Sequence, residues 1–79
     1  MSTSPANVEP LAVSVTFDDH SFTAHLSDGR AISVPYVYSA RLAAATPDQR
    51  ADYQLIGRGR GIHWPQIDED LSIAGLLRG

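Results

Sequence analysis

The chain has 79 residues, a length that allows one domain with a single core. It contains no cysteine, which excludes disulfides, thiolate zinc sites and cysteine nucleophiles. The formal net charge is −3 and every basic residue apart from histidine is an arginine, so a broad basic footprint for nucleic acid is not expected.

The first ten residues differ in composition from the rest of the chain. Residues 1–10 are small and polar and include two prolines, which predicts a flexible lead-in to a single domain over residues 11–79. The start has no basic segment followed by an apolar one, so no secretory signal is predicted. The apolar runs are far shorter than the ~20 residues of a membrane span. We therefore expect a cytoplasmic protein with no membrane partner.

Alternating apolar and polar residues predict three strands, over residues 11–17, 21–26 and 30–34. In the first strand, Val13, Val15 and Phe17 are expected to face the core. The dipeptide Asp28-Gly29 lies between the second and third strands, and it is a strong hairpin signal because glycine accepts a positive φ. The pattern therefore predicts a three-stranded antiparallel meander with one apolar and one polar face.

Two short helices are predicted after the meander. Residues 39–45 have a helical composition with apolar residues on one face. Thr46-Pro47-Asp48-Gln49 has the form of a capping box with proline at the first helical position, which begins a second helix over residues 47–52.

The last third of the chain predicts a second, smaller hairpin and a final helix, which makes the fold class α+β. Two short apolar runs within residues 53–64 flank a glycine-rich loop, which we interpret as the mobile tip of the hairpin. The final amphipathic helix is expected over residues 70–77, with Asp68 as its cap and Glu69 and Asp70 near its positive end.

The segment from His63 to Asp70 is where an imidazole and several carboxylates lie close together in sequence. A hard cation could take oxygen ligands from Asp68 and Asp70 and a nitrogen ligand from His63, although the spacing matches no familiar metal motif. The structural alternative is that the acids begin the last helix while Trp64 packs in the core. A third interpretation makes the segment a partner-facing surface, because tryptophan is enriched at binding hot spots.

The loop Gly57-Arg58-Gly59-Arg60-Gly61 also has two interpretations. Its backbone amides could cradle a phosphate, and its two arginines could contact a nucleic-acid backbone. A phosphate loop, however, is followed by a helix and contains a lysine, whereas a strand is expected here. A solvated turn is the simpler interpretation, and nucleic-acid contact is favoured only if Arg41 and Arg50 lie on the same side of the molecule.

A series of short motifs occurs in order along the chain: Asp28-Gly29-Arg30, Val34-Pro35, Arg41-Leu42, Ala45-Thr46, Gln49-Arg50, Gly61-Ile62-His63-Trp64-Pro65, Ile67-Asp68-Glu69-Asp70-Leu71 and the terminal Leu-Leu-x-Gly. With these motifs the chain resembles the DUF2442 family of small bacterial domains of unknown function, over roughly residues 11–79. The resemblance implies a stand-alone small protein, or a domain fused to DNA-binding helices, often encoded beside another small protein as in toxin–antitoxin pairs. It implies no catalytic residue.

These observations favour a non-catalytic protein-interaction module without a cofactor. Its partner is expected to be a protein encoded nearby, for which it serves as an antitoxin-like or accessory subunit, and self-association is left open. A nucleic-acid-contacting regulatory subunit and a metal protein or enzyme using His63, Asp68 and Asp70 are the alternatives. The expected partner-binding residues are Arg58, Arg60, His63, Trp64, Asp68 and Asp70.

Overall fold

A computed structural model describes residues 10–78, so the predicted lead-in, except for Pro10, lies outside the described residues. The strands form two three-stranded antiparallel sheets, ordered β1-β2-β3 and β4-β5-β6, and the predicted α+β fold is confirmed. In chain order the elements are β1 Ala12–Phe17, β2 Ser21–Leu26, β3 Ala31–Pro35, α1 Ala40–Ala44, α2 Pro47–Ala51, β4 Gln54–Ile56, β5 Gly61–Trp64, β6 Glu69–Ser72 and α3 Ile73–Arg78.

The first sheet is the meander that the alternating pattern predicts. Val15 faces Ala24 across β1 and β2, and Phe22 faces Val34 across β2 and β3. These four side chains are buried, so the apolar surface lies on one side of the sheet. The expected core direction of β1 is therefore correct from Val15 onward.

The prediction that Val13 faces the core is wrong. A bulge between Ala12 and Ser14 shifts the register of β1 against β2. An extra residue in a strand changes which side chains point inward beyond it. Ala12 is buried as a result, and Val13 is 59% exposed.

The core is built around two aromatic rings from different sheets. The rings of Phe22 and Trp64 meet edge to face, with centroids 5.4 Å apart. Trp64 is fully buried, and its indole N–H donates a hydrogen bond of 2.9 Å to the carbonyl of Arg50. Leu42 from α1 and Ile73 from α3 are buried in the same cluster, so both sheets and two helices share one core.

The first two helices begin as the sequence predicts. The Ser39 hydroxyl accepts a hydrogen bond from the backbone N–H of Leu42 at the start of α1. At α2, Thr46 and Gln49 form the predicted capping box, with Pro47 at the first helical position. Each cap provides partners for N–H groups that have none within the helix.

The final helix is confirmed, but it begins at Ile73 because Glu69–Ser72 forms β6 against β5. The cap expected of Asp68 is wrong, since Asp68 lies in the turn before β6 with a φ of 54°. Aspartate tolerates this left-handed conformation better than most residues. The Ser72 hydroxyl instead accepts a hydrogen bond from the backbone N–H of Gly75 in the first turn of α3.

The glycine-rich loop is packed against β1, so the interpretation of this loop as the mobile tip of the hairpin is wrong. Residues Gly57–Gly59 form a tight turn with positive φ angles between β4 and β5, and Gly59 is buried. A β-carbon at Gly59 would lie 2.4 Å from the carbonyl oxygen of Ala12, which shows how closely the two backbones approach. The loop therefore joins the two sheets at the start of β1.

Candidate functional site

The side of the second sheet opposite Trp64 brings several of the predicted site residues together. Because side chains alternate along a strand and Ile62 and Trp64 are buried, Gly61 and His63 project to the other side, together with the residues that face them on β4 and β6. Cross-strand pairing sets which residues are neighbours there. We call this side the outer face, and it consists of Gln54, Ile56, Gly61, His63, Asp70 and Ser72.

His63 and Asp70 form a hydrogen-bonded pair at the centre of the outer face. His63 Nδ1 lies 2.5 Å from Asp70 Oδ1, and the two side chains are 26% and 66% exposed. The carboxylate holds the imidazole in one orientation. His63 Nε2 has no hydrogen-bond partner among residues 10–78 and is the ring nitrogen left to bind another molecule.

The outer face also carries an exposed apolar side chain, and two arginines lie in the loop that follows β4. Ile56 is 40% exposed. Its side chain lies so close to Gly61 that a β-carbon on Gly61 would crowd it. Arg58 and Arg60 follow in the loop that leaves β4, and both are exposed. An exposed apolar side chain with polar and charged neighbours is a common composition for a protein-binding surface.

The remaining predicted site residues lie elsewhere. Trp64 is fully buried on the opposite side, so its structural interpretation is correct and its ring is not available to a partner of the folded chain. Asp68 is exposed in the turn before β6, where its backbone carbonyl accepts a hydrogen bond from the guanidinium of Arg41.

The acidic run does not assemble a metal site. Among residues 10–78, no group of three or more histidine, aspartate or glutamate side chains could hold a metal ion. Glu69 instead accepts hydrogen bonds from the Ser39 hydroxyl and from the backbone N–H of Asp70. These contacts attach the start of α1 to the edge of β6, so Glu69 has a structural role.

Arg50 lies away from the glycine-rich loop, so the extended basic surface on which nucleic-acid contact depends is not formed. Arg50 stacks on the ring of Tyr36, with its Cζ atom 3.9 Å from the ring centroid, and its Nε–H donates to the carbonyl of Leu42. Arg50 lies near the end of β1 at Phe17, whereas the glycine-rich loop contacts the start of β1 at Ala12. At about 3.3 Å per residue these places are ~17 Å apart. Arg58 and Arg60 therefore do not form one basic surface with Arg50.

The sequence does not predict a surface pocket of about 280 Å³ at the end of β1. The Tyr36 hydroxyl beneath it donates a hydrogen bond of 2.7 Å to the carbonyl of Asp18, and burial raises the pKa of that hydroxyl. Three separate segments contribute to the pocket, so no local motif could identify it. Its lining residues are Phe17, Asp18, Asp19, Tyr36, Pro47 and Arg50.

The carboxylate of Asp18, at the rim of this pocket, stabilises the turn between β1 and β2. It accepts hydrogen bonds of 2.8 Å from the backbone N–H groups of His20 and Ser21, and these bonds lower the pKa of Asp18. Because the folded-state pKa is depressed, the stabilisation is present above the unfolded value of about 3.9 and is lost as the pH falls through the folded value.

We therefore expect Asp18→Asn to lower the melting temperature at neutral pH and to have little effect in strong acid. The substitution keeps the shape of the side chain and removes only its charge. Thermal unfolding followed by circular dichroism at about pH 7, 4 and 2 would measure the difference from the parent protein. A difference that stays constant over this range would contradict the assignment.

The comparisons with known proteins agree with this fold. A crystal structure of a protein of unknown function from Rhodospirillum rubrum is 32% identical and superimposes with a TM-score of 0.81, covering 90% of this chain and 88% of that chain. The solution structure of an uncharacterised protein from Chromobacterium violaceum is 22% identical with a TM-score of 0.77, covering 94% and 69%, and shows the fold alone. A family model described as protein of unknown function matches residues 12–79. No curated protein matches the chain.

Proposed function

The chain belongs to the DUF2442 family of proteins of unknown function, and from that premise we propose that it is a non-catalytic protein-interaction module. Its contact surface is the outer face together with Arg58 and Arg60. The observation that carries this proposal is the exposed His63–Asp70 pair beside the exposed apolar side chain of Ile56. The pair supplies an oriented hydrogen-bonding group, and Ile56 supplies apolar area that a partner would remove from water.

The charges of this surface favour a protein over a polyanion. The proposed surface includes the carboxylate of Asp70 as well as Arg58 and Arg60, and the whole chain carries a net charge of −3. A nucleic-acid surface would present cations alone along the path of the phosphates. Alternating charges of both signs are instead what complementary protein surfaces use to select a partner and fix its orientation.

We also propose what kind of partner this chain binds and where in the cell it acts. We expect the partner to be a protein encoded nearby and this chain to act as its accessory or antitoxin-like subunit in the cytoplasm. None of the helices within residues 10–78 is long and apolar enough to cross a membrane.

The conformation of Arg58 provides a sharp test of the contact surface. Arg58 has a φ of 62°, which is unfavourable for a residue with a β-carbon. Arg58→Gly removes the guanidinium and relieves this strain, so a loss of binding could not be attributed to unfolding. We expect the variant to bind the co-expressed neighbouring protein about tenfold more weakly, which corresponds to ~1.4 kcal/mol.

Isothermal titration calorimetry and co-elution on size exclusion would measure this effect. Asp48→Ala is the matched control, because Asp48 is exposed in the first turn of α2, beside the pocket at the other end of β1. It should leave the affinity unchanged. Separate elution of two folded proteins would contradict the proposal. Salt-sensitive binding of an oligonucleotide that is lost in Arg58→Gly would instead support the nucleic-acid alternative.

A further inference from the structure

The outer edge of β3 is the open edge of the first sheet. β3 pairs only with β2 among the described strands. The N–H of Leu26 donates to the carbonyl of Arg30, and the N–H of Tyr36 donates to the carbonyl of His20. Since antiparallel partners exchange hydrogen bonds at every second residue, these two bonds direct the backbone groups of Ala31, Ser33 and Pro35 away from β2.

The opposite edge of the same sheet is covered. The N–H of Val15, at the middle of β1, donates a hydrogen bond of 3.2 Å to the Tyr53 hydroxyl. The backbone of Ala12, at the start of β1, lies against Gly59. An additional strand can therefore join this sheet at β3 and not at β1.

We infer that β3 pairs with β3 of a second copy of this chain to form a symmetric dimer. The pairing is antiparallel and centred on Ser33. The two Ser33 residues then exchange a pair of hydrogen bonds, and the N–H of Ala31 donates to the carbonyl of Pro35 in the other copy. Pro35 has no N–H, so the reciprocal bond from Pro35 to the carbonyl of Ala31 is not made, and the pairing has two bonds between the Ser33 residues and one from each Ala31.

The side chains of β3 and the residues after it favour such a partner. The strand Ala31–Pro35 carries no charge, although natural proteins often protect a free edge with charged side chains or proline, and within this strand only its last residue, Pro35, is of that kind. Val37 and Tyr38 follow directly and are 81% and 52% exposed. In the antiparallel arrangement these two side chains lie beside the β2–β3 turn of the other copy, which would bury apolar area that the monomer leaves in water.

The interface is small, and this limits its strength. One five-residue strand with two flanking side chains buries less than the roughly 1,200 Å² of a stable complex, so we expect a dissociation constant in the micromolar range or weaker. The surface is separate from the outer face, and the dimer therefore goes beyond the proposed function without depending on it.

Ser33→Pro tests the inference because it removes the outward-directed N–H at the centre of the pairing and leaves the bonds to β2 in place. Ser33→Ala is the matched control, since both variants lose the 2.8 Å contact between the hydroxyls of Thr23 and Ser33. Analytical ultracentrifugation over a concentration series should show the same dimerisation for the parent and Ser33→Ala. Ser33→Pro should dimerise at least tenfold more weakly.

Amide hydrogen exchange tests the same contact without a variant. Exchange at Ala31 and Ser33 should slow as the protein concentration rises, while exchange at surface amides of α2 stays constant. A chain that remains monomeric at millimolar concentration would overturn the inference, as would a dimer with unchanged exchange at Ser33. Protection of these amides only after addition of the neighbouring protein would assign the edge to that partner, which contradicts the dimer and leaves the proposed function standing.

Discussion

Replacement of Trp64 by alanine should leave the protein only marginally stable at room temperature. Trp64 is fully buried between the two sheets, packs edge to face against Phe22 and donates to the carbonyl of Arg50. Removal of a buried tryptophan costs about 3–5 kcal/mol through lost apolar burial and the cavity left behind. A domain of this size has a total stability of roughly 5 kcal/mol, so little would remain.

Trp64→Phe separates the two contributions of this side chain. The phenyl ring keeps most of the packing but leaves the carbonyl of Arg50 without its donor. An unsatisfied buried acceptor costs about 1–3 kcal/mol, so this variant should fold with reduced stability. Urea unfolding followed by circular dichroism would rank the three proteins. Equal stability of Trp64→Ala and the parent would show that the two sheets do not share one core.

Gly59→Ala should be the second strongly destabilising change. Gly59 has a φ of 99°, and an added β-carbon would lie 2.4 Å from the carbonyl oxygen of Ala12. The positive φ alone costs about 1–2 kcal/mol in a residue with a β-carbon. The overlap adds a packing cost of about 1–3 kcal/mol, because backbone must move to relieve it. We expect the variant to lose about 3 kcal/mol of stability.

Gly29→Ala is the control for this substitution. Gly29 has nearly the same φ, 93°, but no heavy atom lies within 4 Å of an added β-carbon. It should therefore show only the conformational cost of about 1–2 kcal/mol. Urea unfolding of both variants gives the difference directly. If the two changes were equally destabilising, the close approach between the loop and β1 would be contradicted.

The meander and the helix caps follow from local chemistry, which explains why the sequence predicts them well. Alternating side chains, Asp28-Gly29 at a turn and the Thr46–Gln49 capping box each specify a conformation within a few residues. Val13 shows the limit of such patterns. The bulge that exposes it depends on how β1 pairs with β2, and an alternating run has the same appearance with or without one extra residue.

The second sheet was predicted only in part for a related reason. The acids of Asp68-Glu69-Asp70 are favourable at the start of a helix, but pairing with β5 makes Glu69–Ser72 a strand. The strand is set by cross-strand pairing with β5 and by packing, which override the helical propensity of these residues. The same strand brings Asp70 to His63, so this candidate site contact became visible only with the fold. The sequence does not predict Ile56 as part of the site, because its exposure depends on which side of β4 is covered.

The hydroxyl of Tyr53 has a consequence for how this chain can polymerise. It accepts a hydrogen bond from the N–H of Val15, at the middle of β1, and so prevents another strand from pairing with the sheet on that side. Two copies joined through β3 would expose the capped β1 strand at both ends of the combined sheet, so no third copy could extend it. The Tyr53 hydroxyl and the close approach of Gly59 to Ala12 thus limit the assembly to two copies and prevent fibrillar growth through this sheet.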